Sequence, residues 1–260
     1  MRKRILCISD THSGHHTGLT TPEFENPRDK SKLGQMRREQ WREFNKAVAK
    51  HGPYDMAFHL GDCVDGKGKR SGGVEQITTS MDGQTDMAVA VCDHIRLYGK
   101  RGFKWYGVSG TPYHISADGD DWDDIMSNRA GFESFSQHEW IDVNGCVFDL
   151  KHKIGSSSIP HGRHTAAARA RIQNILWGER QPRAQVFLRG HVHYHSYCGG
   201  ADWLAMTMPA LQGWTKYGAA QCEGTIDWGF VVFDVDDKGR WDWHAETQVL
   251  KTHNAKAVIA

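Results

Sequence analysis

The chain has 260 residues, 39% of them apolar, with 32 Lys plus Arg against 31 Asp plus Glu. That length suits one core of ordinary size, so a single domain over 1–260 is expected, and the balanced charge excludes the global basic field that drives sequence-independent nucleic-acid binding, leaving only a local polyanion site. No run of about eighteen apolar residues marks a membrane span, the apolar stretch after Arg2-Lys3-Arg4 stops at Ser9-Asp10, too early for a signal-peptide core, and six dispersed cysteines without C-x-x-C spacing read as reduced thiols, so a cytoplasmic protein is expected.

In chain order, residues 3–9 and 54–60 are short β-rich apolar runs that end in polar turns, as buried strands of an α/β sheet do. An amphipathic helix is predicted between them over 32–50, with Met36, Phe44 and Val48 on one side. A second helix over 85–98 leads to a third strand over 103–109, which ends at Gly110. The second half predicts a strand over 143–152, a helix over 165–177 and a strand over 185–189. After Gly190 the pattern is mostly β, with strands over 194–198, 203–208, 228–235 and 240–249 and a hairpin turn at 236–239. The class is α/β, a four-layer α-β-β-α sandwich of two mixed sheets flanked by helices. No internal repeat or Pro/Ser-rich linker interrupts it.

Sixteen histidines are an unusual number, and several stand where strands end. Asp10-Thr11-His12 puts a carboxylate and an imidazole on one extended turn, a spacing that suits two ligands of one metal. Asp62, within Gly61-Asp62-Cys63-Val64-Asp65, offers an anionic oxygen able to bridge two cations, and Gly61 permits close backbone approach. His152 ends its strand, and Gly190-His191-Val192-His193 follows another with alternating imidazoles. Taken singly, each is a capping carboxylate or a hydrogen-bonded core histidine. Together they are metal-type ligands on four strand-ending loops, which α/β sheets gather at a common edge.

The ordered set D-x-H, G-D-x-x-D and G-H-x-H resembles the calcineurin-like metallophosphoesterases, over about residues 3–200, and implies a metallo-dependent phosphatase-like fold. The resemblance implies two divalent metal ions, manganese first, with iron, zinc or nickel as alternatives. Asp10, His12 and His193 would bind the first ion, His152 and His191 the second, and Asp62 would bridge them; Asp65 matches a position that supports the loop. The family's third motif, Gly-Asn-His followed by an acid, is replaced by Gly110-Thr111-Pro112-Tyr113-His114. Thr111 then stands as a neutral oxygen ligand in place of Asn, and His114 as the catalytic group at the leaving oxygen. The implied activity is hydrolysis of a phosphodiester or phosphomonoester by attack of a metal-bridging hydroxide, since such a first shell carries about one net positive charge and draws in phosphate. A DNA exonuclease or endonuclease of the same superfamily is the alternative, and a non-catalytic binding scaffold the third reading. Expected partners are a phosphate ester, nucleotide or nucleic acid included, and no membrane. The Gly110 to His114 loop is similar to that of phage and prophage members.

Other signals weigh less. Gly61 to Gly68 nearly matches a phosphate-binding loop, but Gly68 replaces the required Ser or Thr. His195 reads as surface or sheet, and His15 and His16 as an exposed loop. Asp118, Asp120, Asp121, Asp123 and Asp124 around Trp122 read as a solvated loop or helix N-terminus, one of them a substitute for the missing Asn. Lys67, Lys69, Arg70, Arg163 and His164, with Tyr113, Trp122 and Trp214, read first as solvated loop and packed core, and second as a basic rim with rings to stack on a base. Most of the ten tryptophans are expected in the core.

Overall fold

The computed structural model describes residues 1–215 and 226–253. Cys222 lies outside the described residues; the other five cysteines are free thiols. Strands β1 (Lys3–Ile8), β2 (Tyr54–His59) and β3 (Gly99–Val108) run parallel in a six-stranded sheet completed by β6 (Ser134–Ser136), β12 (Trp228–Val235) and β13 (Trp241–Gln248), in the order β13-β12-β1-β2-β3-β6. A five-stranded sheet follows the order β10-β11-β9-β8-β7, from β7 (Glu139–Val143), β8 (Cys146–Lys151), β9 (Val186–Arg189), β10 (Ser196–Gly199) and β11 (Leu204–Thr207). The short pair β4 (Ser116–Ala117) and β5 (Asp120–Asp121) stands apart. Both large sheets mix parallel and antiparallel pairs.

Alternation along the strands explains the layering. In β1, Ile5 and Cys7, with Phe58 and Leu60 at the end of β2, face the second sheet, whose Phe148, Leu150, Val186 and Leu188 complete the inter-sheet core. Leu6 and Ile8 face the other way and meet α1 (Lys32–His51), α2 (Met81–Arg96) and α4 (Trp122–Arg129) through Phe44, Val48, Val91, Ile95 and Met126. Fully burying each such side chain stabilises the fold by roughly 1.5–3 kcal/mol. On the far side, α5 (Thr165–Leu176) covers the second sheet through Ala167, beside Phe187 and Ala205. The four layers are therefore α-β-β-α. Among the described residues no helix is long and apolar enough to cross a membrane.

Several boundaries differ from expectation. The strand expected over 143–152 is β8, which starts only at Cys146, after a tight turn at Asn144-Gly145 with positive φ at both residues; the antiparallel β7 before that turn is not among the expected elements. Helix α2 begins at Met81 rather than at 85, because the Ser80 side chain accepts from the Gly83 N–H and caps it. Trp105 and Trp228 are core residues, but Trp177 is half exposed.

Candidate metal centre

Each predicted site residue follows a strand end on the same edge of the sandwich. The loops after β1 and β2 are zipped together by backbone bonds, with the N–H groups of Asp10, His12 and Ser13 donating to the carbonyls of Gly61, Asp62 and Cys63 at 3.1, 3.0 and 2.9 Å. The second sheet is fastened to the first here as well, since the His191 N–H donates to both Asp10 carboxylate oxygens at 3.2 and 3.1 Å. Such close approach leaves no room for side chains at two glycines. A Cβ on Gly110 would lie 2.0 Å from Asp62 Oδ1, and one on Gly190 would lie 2.9 Å from His152 Nδ1.

The backbone at the site is unusual in a uniform way. Among the described residues, seven that are not glycine have left-handed φ, and five of them are Asp10, His12, Asp62, His191 and His193. Each such residue costs on the order of 1–3 kcal/mol and persists only where the surroundings enforce it. Here the left-handed turns aim successive side chains of one loop at one point.

Two triads of donors result. Asp10, His12 and His193 form one and Asp62, His152 and His191 the other, with the ligand-type atoms of each within 4.8 Å of one another. His193 Nε2 lies 3.1 Å from Asp10 Oδ1 and His152 Nε2 lies 3.1 Å from Asp62 Oδ2. Asp62 stands between the triads, its Oδ2 also 3.8 Å from His12 Nε2. Asp10, His12, Asp62 and His152 are all at most 2% exposed, whereas His191 and His193 are half-buried.

Hydrogen bonds fix which nitrogen each ring presents. His12 Nδ1 donates to Asp65 Oδ1 at 3.0 Å and His152 Nδ1 to the Leu60 carbonyl at 2.5 Å, which turns both Nε2 lone pairs inward. Both Nε2 atoms are buried and neither makes a well-formed hydrogen bond, although His152 Nε2 rests 3.1 Å from Asp62 Oδ2. A buried polar atom without a good partner costs about 1–3 kcal/mol, so two of them facing two buried carboxylates fit cations. The electrostatics agree. Burial works to raise the Asp10 and Asp62 pKa values, yet the neighbouring imidazoles, His193 at Asp10 and His152 at Asp62, hold both well below the usual range. Burial likewise disfavours charge on His152, but Asp62 overcomes it and pushes the ring up to about 10. In the metal-free protein, protons supply the positive charge that the carboxylates demand.

The third loop closes the site. The Thr111 N–H donates to Asp62 Oδ1 at 2.6 Å, and its hydroxyl lies 3.2 and 3.3 Å from the two Asp62 oxygens. His114 sits on α3 (Pro112–Ile115), its ring 4.5 Å from that of His12, and its Nδ1 donates to the Asp65 carbonyl at 2.7 Å. Burial lowers its pKa, but Asp62 and Asp65 outweigh that and raise it above the ordinary histidine value.

Two supports carry no ligand-like motif. Asp65 accepts from His12 and also from Gln76 Nε2 at 2.6 Å, so its carboxylate is held on both sides. Asp123 is fully buried, accepting at Oδ1 from the Cys63 and Val64 N–H groups at 3.0 and 3.3 Å and at Oδ2 from the Gly110 N–H at 3.0 Å. It thus ties the Asp62 loop to the Thr111 loop. Burial, reinforced by Asp62, pushes its carboxyl up to about 7. The acidic run splits accordingly: Asp121 caps α4, while Asp118 pairs with Lys67 at 2.6 Å.

One expectation is corrected here. His15 is buried, not in an exposed loop, its Nδ1 bonded to the Thr17 N–H at 3.0 Å. Lys67 pairs with the exposed Asp118 at 2.6 Å and Arg70 lies over the Tyr113 ring at 4.9 Å, in keeping with the solvated-loop reading ahead of the basic rim. His195, read as surface or sheet, agrees with that reading: it is half-buried directly before β10 and bonded to the Thr207 carbonyl.

No protein-family profile matches the chain, and no curated protein matches it. Solved structures do align along most of it. A novel archaeal phosphodiesterase is 10% identical, covers 93% of this chain and 99% of its own, and has a TM-score of 0.46. Vacuolar Protein Sorting 29 from Cryptosporidium parvum is 10% identical over 95% and 98%, with a TM-score of 0.49. A zinc complex of Vps29 from Entamoeba histolytica is 13% identical over 94% and 98%, with a TM-score of 0.45. At this distance none lends its chemistry to the present chain, and the functional reading stands on the side chains themselves.

Proposed function

We propose that this chain is a metal-dependent phosphoesterase of the calcineurin-like type. One divalent cation would be held by Asp10, His12 and His193 and a second by Asp62, His152 and His191, with Asp62 shared and the Thr111 hydroxyl beside it as a neutral oxygen. The observation that carries the reading is the pair of buried imidazole nitrogens, His12 Nε2 and His152 Nε2, that make no well-formed hydrogen bond and are aimed at the same carboxylate, 3.8 and 3.1 Å from Asp62 Oδ2. Mixed imidazole and carboxylate donors suit manganese, iron, zinc or nickel. Bound there, such ions supply Lewis-acid charge for a phosphoryl group and lower the pKa of water.

The protein's own groups do the rest. Asp65 keeps a proton of His12 on Nδ1, and the Leu60 carbonyl does the same for His152, so a bound cation would meet the Nε2 of each ring. With Nδ1 committed to the Asp65 carbonyl, His114 has Nε2 as the atom that would hand a proton to a leaving alkoxide. Lys67 and Arg70, drawn onto Asp118 and Tyr113, favour a compact ester over a long polyanion.

The test compares hydrolysis of a phosphomonoester, a phosphodiester, cyclic nucleotides and single-stranded DNA after reloading with each metal. Turnover on one ester class is expected, with His114→Ala slower by about 10²–10⁴-fold and its metal content unchanged. Absence of turnover with two ions bound would leave the scaffold reading; loss of metal along with activity would make His114 a ligand.

A further inference from the structure

We infer that His51, His244 and Glu246 form a separate cation site of zinc type, which clamps the end of α1 to the edge strand β13. It is independent of the candidate metal centre. His51 is the last residue of α1 and lies just before β2 begins at Tyr54, whereas Asp62 follows the other end of β2. Six residues of strand place the two on the order of 20 Å apart.

The three donors come from two rigid elements. His244 and Glu246 stand two apart on β13, hence on one face, opposite Val232 and Phe230 of β12. The His51 ring meets Phe230 edge-on, with centroids 6.1 Å apart and planes at 87°. Its carbonyl accepts from Arg4 Nη1 at 3.0 Å, and Arg4 is itself held on Asp234. The ring is therefore oriented from two sides, and its Nε2 lies 2.5 Å from Glu246 Oε2.

The crowding at that oxygen is the telling feature. Lys50 Nζ lies 2.9 Å and His244 Nε2 3.4 Å from the same Oε2, so three nitrogens converge on one oxygen. An oxygen with two lone pairs cannot serve three donors well. Two imidazoles and a carboxylate resolve the conflict by presenting lone pairs to one cation, as in three-ligand zinc sites with an open fourth position. The ligand-type atoms already lie within 4.8 Å of one another. Tetrahedral bonding needs donors about 3.3 Å apart, which the His244 separation already meets and the His51 pair meets by opening slightly. Side-chain exposure of 59% at His244, against 16% at Glu246, leaves the entry open.

Lys50 separates this reading from a plain ion-pair cluster. Its side chain, 61% exposed, competes with a cation for Glu246 and repels it. Zinc content is to be measured by equilibrium dialysis of the full chain against zinc alone, for the parent protein and for His244→Ala, Glu246→Gln and Lys50→Gln, with circular dichroism as the check on folding. The first two should each hold one zinc fewer per chain, while Lys50→Gln keeps the parent stoichiometry and binds that zinc roughly two- to fivefold tighter. Equal zinc content in the parent and His244→Ala, which alters a largely exposed side chain, would overturn the proposal; so would weaker zinc binding in Lys50→Gln. Because the readout is a difference between variants, it does not depend on how many ions the Asp10 and Asp62 loops hold.

Discussion

The six-stranded sheet brings Asp10, His12 and Asp62 to the seam fully buried and all left-handed, whereas the five-stranded sheet brings His152 buried but His191 and His193 only half-buried. Each triad takes donors from both sheets, yet both carboxylates come from the first and three of the four imidazoles from the second. The anionic half is also the better braced, through the paired β1 and β2 loops, Asp65 and Asp123. On the proposed function, the first sheet would set where cations sit, and an ester would enter from the more open side, at His191, His193 and His114.

The contrast is broken most severely at the shared carboxylate. Asp62→Asn should abolish binding at both triads and reduce turnover by more than about 10³-fold, while His193→Ala should release one ion and leave the other bound. Metal analysis of both variants checks this, and an Asp62→Asn protein that retained two ions would remove the asymmetry between the sheets. A smaller effect is expected at Asp123→Asn, where the amide cannot accept from all three of the Cys63, Val64 and Gly110 N–H groups. A loss of about 1–3 kcal/mol in unfolding free energy is expected by denaturant titration, together with weaker binding of the ion at Asp62. Unchanged stability would show that the loops hold their places without it.

Much of this was legible in the residues. The strand runs ending at Asp10, Asp62 and Gly190 lie where their apolar pattern put them, because buried parallel strands leave a continuous hydrophobic trace and their polar ends stand out. Residues far apart in the chain came together because parallel strands share one edge. What stayed hidden depends on tertiary contacts. Asp123 is one of five similar aspartates, and only the path of α4 makes it the buried acceptor of three N–H groups. The burial of His15 is set by the loop fold around Thr17 and not by its neighbours in sequence. The break between β7 and β8 had a local signal in Asn144-Gly145, which an uninterrupted β-rich reading of 143–152 passed over.

The central claim is that two buried carboxylates and four imidazoles from opposite sheets hold a pair of cations. Anomalous diffraction from crystals grown with manganese tests it most directly. Two peaks are predicted, one among Asp10, His12 and His193 and one among Asp62, His152 and His191, with Asp62 touching both. A single peak, or none at this edge while manganese binds elsewhere, would contradict the account.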